Sequence, residues 1–330
     1  MTSKRKTIVI LILILLLIAG LYFDANAGYA MISPAQMAEI FAGGGSKAMR
    51  YTLLELRLPR VVVSVLVGIC LALSGSILQG ITRNDMADPG ILGLNAGSGL
   101  CVALFIVFFT GTFEGYNYVL PLLAFLGSLA VALLDHRLAM VNGKLRPKRL
   151  LLIGVAVSSA LTALTTMMML RMPDNQYAFV QNWIAGNIWG ASWTNALILL
   201  LGILVLGGIC FYKYRTLNVL GLGENSATGL GVSVHTTNML FLTIAAALSA
   251  LACAVGGGLS FVGLICPHLA RRLVGPDHKV SLPVTALTGG VLLVYSDILS
   301  RTLLLPNEIP VGIVVAVIGA PYFLYLLVKE

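Results

Sequence analysis

At 330 residues the chain is 58% hydrophobic and only 10% charged, with a mean hydropathy of +0.95, whereas a soluble domain carries about 25% charged residues. A water-soluble domain is excluded, and the net charge of +8 calls for no nucleic acid once membrane topology accounts for it. Cys70, Cys101, Cys210, Cys253 and Cys266 all fall inside apolar runs, where thiols behave as small hydrophobes, so no disulfide framework is expected.

A hydrocarbon core about 30 Å thick needs roughly 20 apolar residues per helix, and about ten such runs follow one another. They span Thr7 to Phe23, Val61 to Ile81, Ile91 to Gly111, Tyr118 to Leu134, Leu150 to Leu170, Thr194 to Tyr212, Thr237 to Val255, Gly257 to Val274, Leu282 to Leu303 and Pro310 to Val328. Strand alternation is nowhere sustained, and backbone inside a bilayer must satisfy its own hydrogen bonds. The expected fold is therefore an all-α polytopic membrane protein of about ten transmembrane helices, one domain over residues 1–330.

At the start, Lys4-Arg5-Lys6, an apolar stretch and Ala25-Asn26-Ala27 imitate a cleavable secretory signal. The apolar run is longer than a usual signal core, which favours a retained first helix. The largest polar stretch, Asp24 to Arg60, holds an amphipathic piece around Pro34 to Phe41 suited to the outer surface. After the second run, Gln79 to Gly90 concentrates polar groups, with Asp88-Pro89 expected to cap the third helix and Gly93, Gly97 and Gly99 to allow close packing. Met167, Met168, Met169 and Met172 cannot share one helical face, so most read as packing.

Leu217 to Gly231 reads LNVLGLGENSATGLG: glycines break the chain, Glu224 opens a short helix at its positive end and Gly231 closes it. Such a helix suits a rigid knob for a soluble partner or an ordinary loop cap. Further on, Cys266 and His268 are two ligand types without a closed tetrahedral set, so no metal site is expected. Asp297 and Arg301 lie four apart on one helical face and can pair. Leu71 to Gly99 and Val255 to Gly290 share a plan of apolar helix, polar turn and Gly-rich helix, which suggests two pseudo-repeated halves.

Gly43-Gly44-Gly45-Ser46-Lys47 lacks the spacing of a phosphate loop, and no catalytic motif accompanies it, so neither an ATPase nor an intramembrane enzyme is indicated. Lys and Arg are retained on the cytoplasmic side. With the N-terminus inside, inner segments hold 15 of the 21 basic residues, and the outer side keeps Lys47, Arg50, Arg57, Arg60, Arg171 and Arg301. Both termini are expected in the cytoplasm.

RLPR at Arg57 to Arg60, RNDMADPGILGLNAGSG at Arg83 to Gly99, LGLGENSATGLGV at Leu220 to Val232, FVGLICPH at Phe261 to His268, GPDHK at Gly275 to Lys279 and EIPVGIVVAVIGAPYF at Glu308 to Phe323 form an ordered set. Together they resemble the FecCD permease family over nearly the whole chain. The resemblance implies a ten-helix permease of the bacterial cell membrane, part of a binding-protein-dependent importer. Its cargo would be a ferric siderophore, with cobalamin or haem as alternatives.

It implies a permease homodimer or heterodimer, an extracytoplasmic substrate-binding protein and two ATP-binding subunits that carry ATP and Mg, with no cofactor on this chain. It places the ATPase coupling helix within 217–231, including Leu220, Gly221, Gly223, Glu224, Ala227, Leu230 and Gly231. It makes Arg57, Arg60 and Arg301 outward-facing contacts for acidic residues of the binding protein. It sets an inner gate at Asn142 to Arg149, with Asn142, Gly143 and Lys144 at its turn, and has the fifth and tenth helices border the pathway. Asp85 departs from a position often held by Pro, and Asn225, Ser226 and Thr228 replace residues often charged. An ion-coupled secondary transporter is the rival, for which no convincing midmembrane acid stands out.

Overall fold

The computed structural model describes residues 3–27, 32–109, 116–141, 144–188, 190–304 and 307–329. An apolar helix α1 (Ser3–Asn26) is followed by α2 (Pro34–Phe41), whose first turn is fixed by Pro34 and by a reciprocal cap between Ser33 and Gln36. Next, α3 (Lys47–Tyr51) runs through a π-helical stretch, Thr52–Arg57, into α4 (Leu58–Thr82). Arg83, with φ of 50°, ends it in the left-handed region, a cap usually left to glycine.

Then come α5 (Leu94–Phe108), α6 (Tyr116–Ala139), a hairpin of β1 (Met140–Val141) and β2 (Lys144–Leu145), α7 (Pro147–Met169) and α8 (Asp174–Ile184). After these, α9 (Trp193–Gly202) passes through a second π-helical stretch, Ile203–Gly207, into α10 (Gly208–Tyr212). The last six are α11 (Tyr214–Gly221), α12 (Glu224–Gly229), α13 (Val234–Gly256), α14 (Val262–Val274), α15 (His278–Thr302) and α16 (Val311–Lys329).

The bundle is helical as expected, with the two-residue strands of the hairpin as the exception among the described residues. Each expected apolar run centres on a helix. Among the described residues seven helices are long and apolar enough to cross a membrane, and α5 and α16 are shorter apolar helices. The run from Gly257 to Val274 is not one span: the chain breaks after α13, and α14 has 13 residues ending near Arg271 and Arg272. Asp88-Pro89 does not cap the third helix either. The Asp88 carboxylate accepts the Gly90 N–H at 2.7 Å in a local turn, and helix resumes only at Leu94 after left-handed Gly93.

Helix α4 is buried at the centre, while α1, α7 and the α9–α10 rod expose most of their apolar surface. Small residues let the central backbones meet: a Cβ on Gly75 would overlap the Gly263 carbonyl of α14, and one on Gly289 of α15 the Gly68 carbonyl of α4. Between helices, side-chain hydroxyls and amides satisfy backbone, as where Ser74 donates to the Ala245 carbonyl at 2.7 Å and Ser128 to that of Leu94 at 2.8 Å.

Candidate functional site

The two polar turns that suggested repeated halves meet in the middle of the molecule. Asn95 Nδ2 donates to the Leu259 carbonyl at 3.0 Å, and the Cys253 thiol donates to Asn95 Oδ1 at 2.7 Å. Gln79 Nε2 donates to the carbonyls of Gly263 and Leu264, both at 3.3 Å. Buried Asp88 also takes backbone N–H groups of Ile91 and Leu264. The break between α13 and α14 is held from its other side by the end of α8, where the Gly258 N–H donates to the Trp183 carbonyl at 3.2 Å. Gly312, at the start of α16, donates to the Gly186 carbonyl at 2.9 Å. Irregular backbone at bilayer depth is tolerated where protein or a cavity satisfies it, and here both do.

Beside this seam lies a cavity of about 320 Å³ between α5, α7, α8 and the α13–α14 break. Ser158, Thr162, Thr165, Thr166 and Met169 line it from α7 at helical spacing, facing Asn95, Gln181 and Ser260. Thr165 and Thr166 donate to carbonyls of their own helix at 2.9 Å, which leaves their oxygens as acceptors. No charged residue is among the described residues that line the cavity. A second hollow of about 590 Å³ is lined by Asn175, Asn182, Asn187, Asn195, Trp183 and Glu308 among others. The first surface offers hydrogen bonds without ionic sites among its described lining residues, which suits passage more than tight capture, while the second carries one carboxylate, Glu308, which Arg60 neutralises. Of the methionines, Met169 and Met172 pack in one apolar cluster, Met169 also edging the cavity, and Met167 is exposed.

At one end of the bundle five charged residues converge. Arg60 of α4 pairs with Asp297 of α15 at 2.9 Å and with Glu308, ahead of α16, at 2.9 Å. Arg301 pairs with Asp297 at 3.2 Å, as its helical spacing predicts, and with Asp24 of α1. It also donates to the carbonyls of Asp24 at 2.8 Å and Ala27 at 3.1 Å. Arg57 donates to the Ala25 carbonyl at 3.1 Å. The three arginines expected to reach outward therefore do gather at one end, but Arg57 and Arg301 are buried and all three guanidinium groups are engaged inside the chain. The reason is local: the end of α1 presents a carboxylate and open carbonyls that a buried guanidinium satisfies. The same contacts bury the Ala25 and Ala27 of the signal-like triplet.

At the opposite end, Lys6 lies close enough to Asp277 to act on its charge, and α16 brings Tyr322 to His268 with ring centroids 6.0 Å apart. The beginning of α1 and the later part of α16 thus reach the end that carries α11 and α12. Arg271 joins Gln79 at 2.6 Å to Asp85 at 2.9 Å, so Asp85 in the expected Pro position makes an ion pair. Of the coupling residues, Leu220 and Ala227 are buried and hold the segment to the core, while Gly221, Glu224, Leu230 and Gly231 are exposed and Gly223 is half-buried. Leu222 is 65% exposed and Leu230 63%, so two leucines flank the short α12 as an apolar knob. Of the gate residues, Asn142 and Gly143 lie outside the described residues and Lys144 begins β2; Arg149 Nε donates to the Leu138 carbonyl at 3.0 Å, binding α7 to α6.

Sequence reasoning missed Asp24 and Glu308 as ion-pair partners, Asn218, and Asp135. Asp135 is buried on α6 beside Leu78, Leu92 and Leu242, at a space of about 10 Å³ that holds one water at most. Only for Asp135 was there a sequence signal, an acid directly at the end of the apolar run from Tyr118 to Leu134.

Asn218 of α11 donates to Asp277 at 2.8 Å, and this bond, with the Lys279 backbone N–H second, holds the Asp277 carboxyl below the usual carboxylate range. The stability it contributes is present at neutral pH and lost as pH falls through that depressed value. Acidification is expected to loosen α11 from α15, read as lower protection of α11 amides against exchange relative to their intrinsic rate at each pH; unchanged protection through the acid range would count against the link.

A bundle of long apolar helices, with broken helices around a polar, charge-free cavity and an exposed knob at one end, is a multi-span membrane transport protein. The family model described as the FecCD transport family matches residues 11–329. The chain belongs to that family. It is 40% identical to the iron(3+)-hydroxamate import system permease protein FhuG of Bacillus subtilis, over 99% of each chain. It is 37% identical to the hemin transport system permease protein HmuU of Yersinia pestis, over 97% of this chain and 94% of that one. A solved chain described as an inward-facing metal-chelate type ABC transporter superposes with a TM-score of 0.82, at 31% identity over 97% of this chain and 99% of that one.

Proposed function

We propose that this chain is the permease subunit of an ATP-driven importer that moves a ferric siderophore across a bacterial cell membrane. The observation that carries the reading is the near-complete correspondence, without missing elements, to a relative described as an iron-hydroxamate import permease. The charge-free cavity beside the broken helices supplies a path for a bulky chelate already saturated with its own metal ligands. Two permease chains, identical or paralogous, enclose the path; a substrate-binding protein delivers cargo at the end of Arg57, Arg60 and Arg301; two separate subunits bind ATP and Mg and hydrolyse it. Both termini lie in the cytoplasm, where Leu222, Glu224 and Leu230 meet the ATPase. Haem is the second reading, favoured by the hemin permease relative.

Cells lacking the chain are expected to lose uptake of radio-iron from at least one ferric siderophore and to regain it with the wild-type chain. Loss confined to haem or cobalamin moves the cargo, and no change in any cargo, with no redundant importer present, rejects the importer. Leu222→Asp and Leu230→Asp are each expected to weaken ATPase association roughly tenfold, since burying a leucine is worth about 1.5–3 kcal/mol and 1.4 kcal/mol is a factor of 10. Co-purification from membranes reads this, and undiminished recovery of the ATPase with both variants would place its contact elsewhere.

A further inference from the structure

The exposed knob α12 can only do work on the bundle if its displacement reaches a helix that spans it. Apolar packing of Leu217, Leu220 and Ala227 sets the depth of the segment, but such contacts are non-directional and allow sliding. Asn218 makes directional bonds. Its Nδ2 donates to Asp277 Oδ1 at 2.8 Å, and its Oδ1 accepts the backbone N–H of His278 at 3.0 Å and lies 2.7 Å from His278 Nδ1. Asp277 is the N-cap of α15 and also accepts the Lys279 N–H at 3.0 Å.

These partners leave one consistent arrangement of protons. An ionised Asp277 can only accept, so the NH₂ of Asn218 must face it; the amide oxygen then faces two nitrogens, and Nδ1 of His278 must carry its proton. The side chain is thereby fixed in orientation, and every donor at the start of α15 that it touches is satisfied.

From that start α15 runs unbroken for 25 residues, about 37 Å at 1.5 Å per residue. It is clamped to α4 at three heights. His278 packs against Gly80, whose missing side chain leaves Nε2 only 3.4 Å from where a Cβ would sit. Gly289 meets Gly68 backbone to backbone, and Asp297 pairs with Arg60. At its far end Arg301 holds α1. Packed elements with contacts of this kind shift as units rather than deform.

We propose that Asn218 is the positioning residue that transmits movement of α12 to α15, and through the paired α4–α15 unit to the charged cluster at the opposite face. This rests on the reading of α12 as the ATPase contact. The chemistry provides its own control. Asn218→Asp sets a second carboxylate against Asp277 and breaks the link. Adding Asp277→Asn exchanges the two groups: the new amide donates to the new carboxylate, which accepts both His278 donors, while the Lys279 N–H, which shares Asp277 Oδ1 with Asn218, is the one bond the exchange gives up.

The test uses the full complex of permease, ATPase and binding protein in liposomes, supplied with the ferric siderophore that the uptake assay identifies. It measures chelate transported per ATP hydrolysed, and stimulation of hydrolysis by loaded binding protein. Asn218→Asp is expected to lower the transport ratio about fivefold or more, the lower end of ordinary coupling between sites, with the ATPase still bound. The Asn218→Asp/Asp277→Asn pair is expected to restore it. A normal ratio in Asn218→Asp overturns the proposal, as does a pair variant that regains membrane level and ATPase binding without regaining the ratio. If the single variant fails to assemble, the pair alone decides between these outcomes. A wild-type complex whose ATPase never responds to loaded binding protein rejects the function proposed above, which is a different result from a responsive wild type matched by Asn218→Asp.

Discussion

Replacing Arg301 by alanine is expected to destabilise the folded protein by about 3–5 kcal/mol, the cost of breaking a buried ion pair from one side. Arg301 is 5% exposed and stands between two fully buried carboxylates, Asp24 and Asp297. Removal leaves Asp24 without its cation, and leaves the carbonyls of Asp24 and Ala27 short of the donor that completes the end of α1. Asp297 keeps Arg60 at 2.9 Å, so it is the lesser loss. Lysine at this position keeps the charge but not the planar fork that reaches a carboxylate and two carbonyls together.

The control is Arg301→Met with Asp24→Leu, which removes charge and counter-charge together and is expected to cost far less than Arg301→Ala, since apolar replacements of buried pairs are often neutral. Thermal or denaturant unfolding in detergent gives both values. A loss below about 1 kcal/mol for Arg301→Ala, the level of an exposed ion pair, would show that the site is wet rather than buried. The same reasoning governs any test of binding-protein docking: reversing the charge of Arg57, Arg60 and Arg301 together attacks the anchoring of α1 before it reports on a partner. Folded yield must therefore be measured beside uptake.

The second large effect is expected at Gly75. Alanine in a helix interior ordinarily gains about 1 kcal/mol over glycine, yet Gly75→Val is expected to reverse that sign and cost about 3 kcal/mol or more, the upper end for overpacking. A Cβ there would overlap the carbonyl and Cα of Gly263, so the obstacle is backbone, which cannot rotate away. Helices α4 and α14 must separate, and separation strips Gln79 from the carbonyls of Gly263 and Leu264. Gly221→Ala is the contrasting variant: no neighbour lies within 4 Å of its Cβ and it sits in helix α11, so a neutral or slightly favourable change is expected. Equal unfolding midpoints for Gly75→Val and wild type would mean that the two helices are not in backbone contact.

Much of this protein is decided by one-dimensional chemistry. Long uncharged runs determine that the backbone is helical and where the helices lie, because a bilayer leaves no other way to satisfy its polar groups. The Asp297–Arg301 pair is legible because helical spacing alone places both on one face, and the glycines around Glu224 mark a short helix because they break the chain on either side. The order of residues marks the break itself, one run ending at Val255 and the next opening at Gly257, but not that the second holds a helix of only 13 residues, nor that the break is held by the Trp183 carbonyl, far away in sequence. Nor could sequence show that Arg57 and Arg301 turn inward: their partners, Asp24, Ala25 and Ala27, lie at the end of the first helix and just past it, and only its docking against α4 and α15 makes burial cheaper than hydration. Asn218 is hidden for the same reason. Its meaning lies in the 59 residues of chain that fold back to bring Asp277 within 2.8 Å, a closeness set by packing and not by spacing.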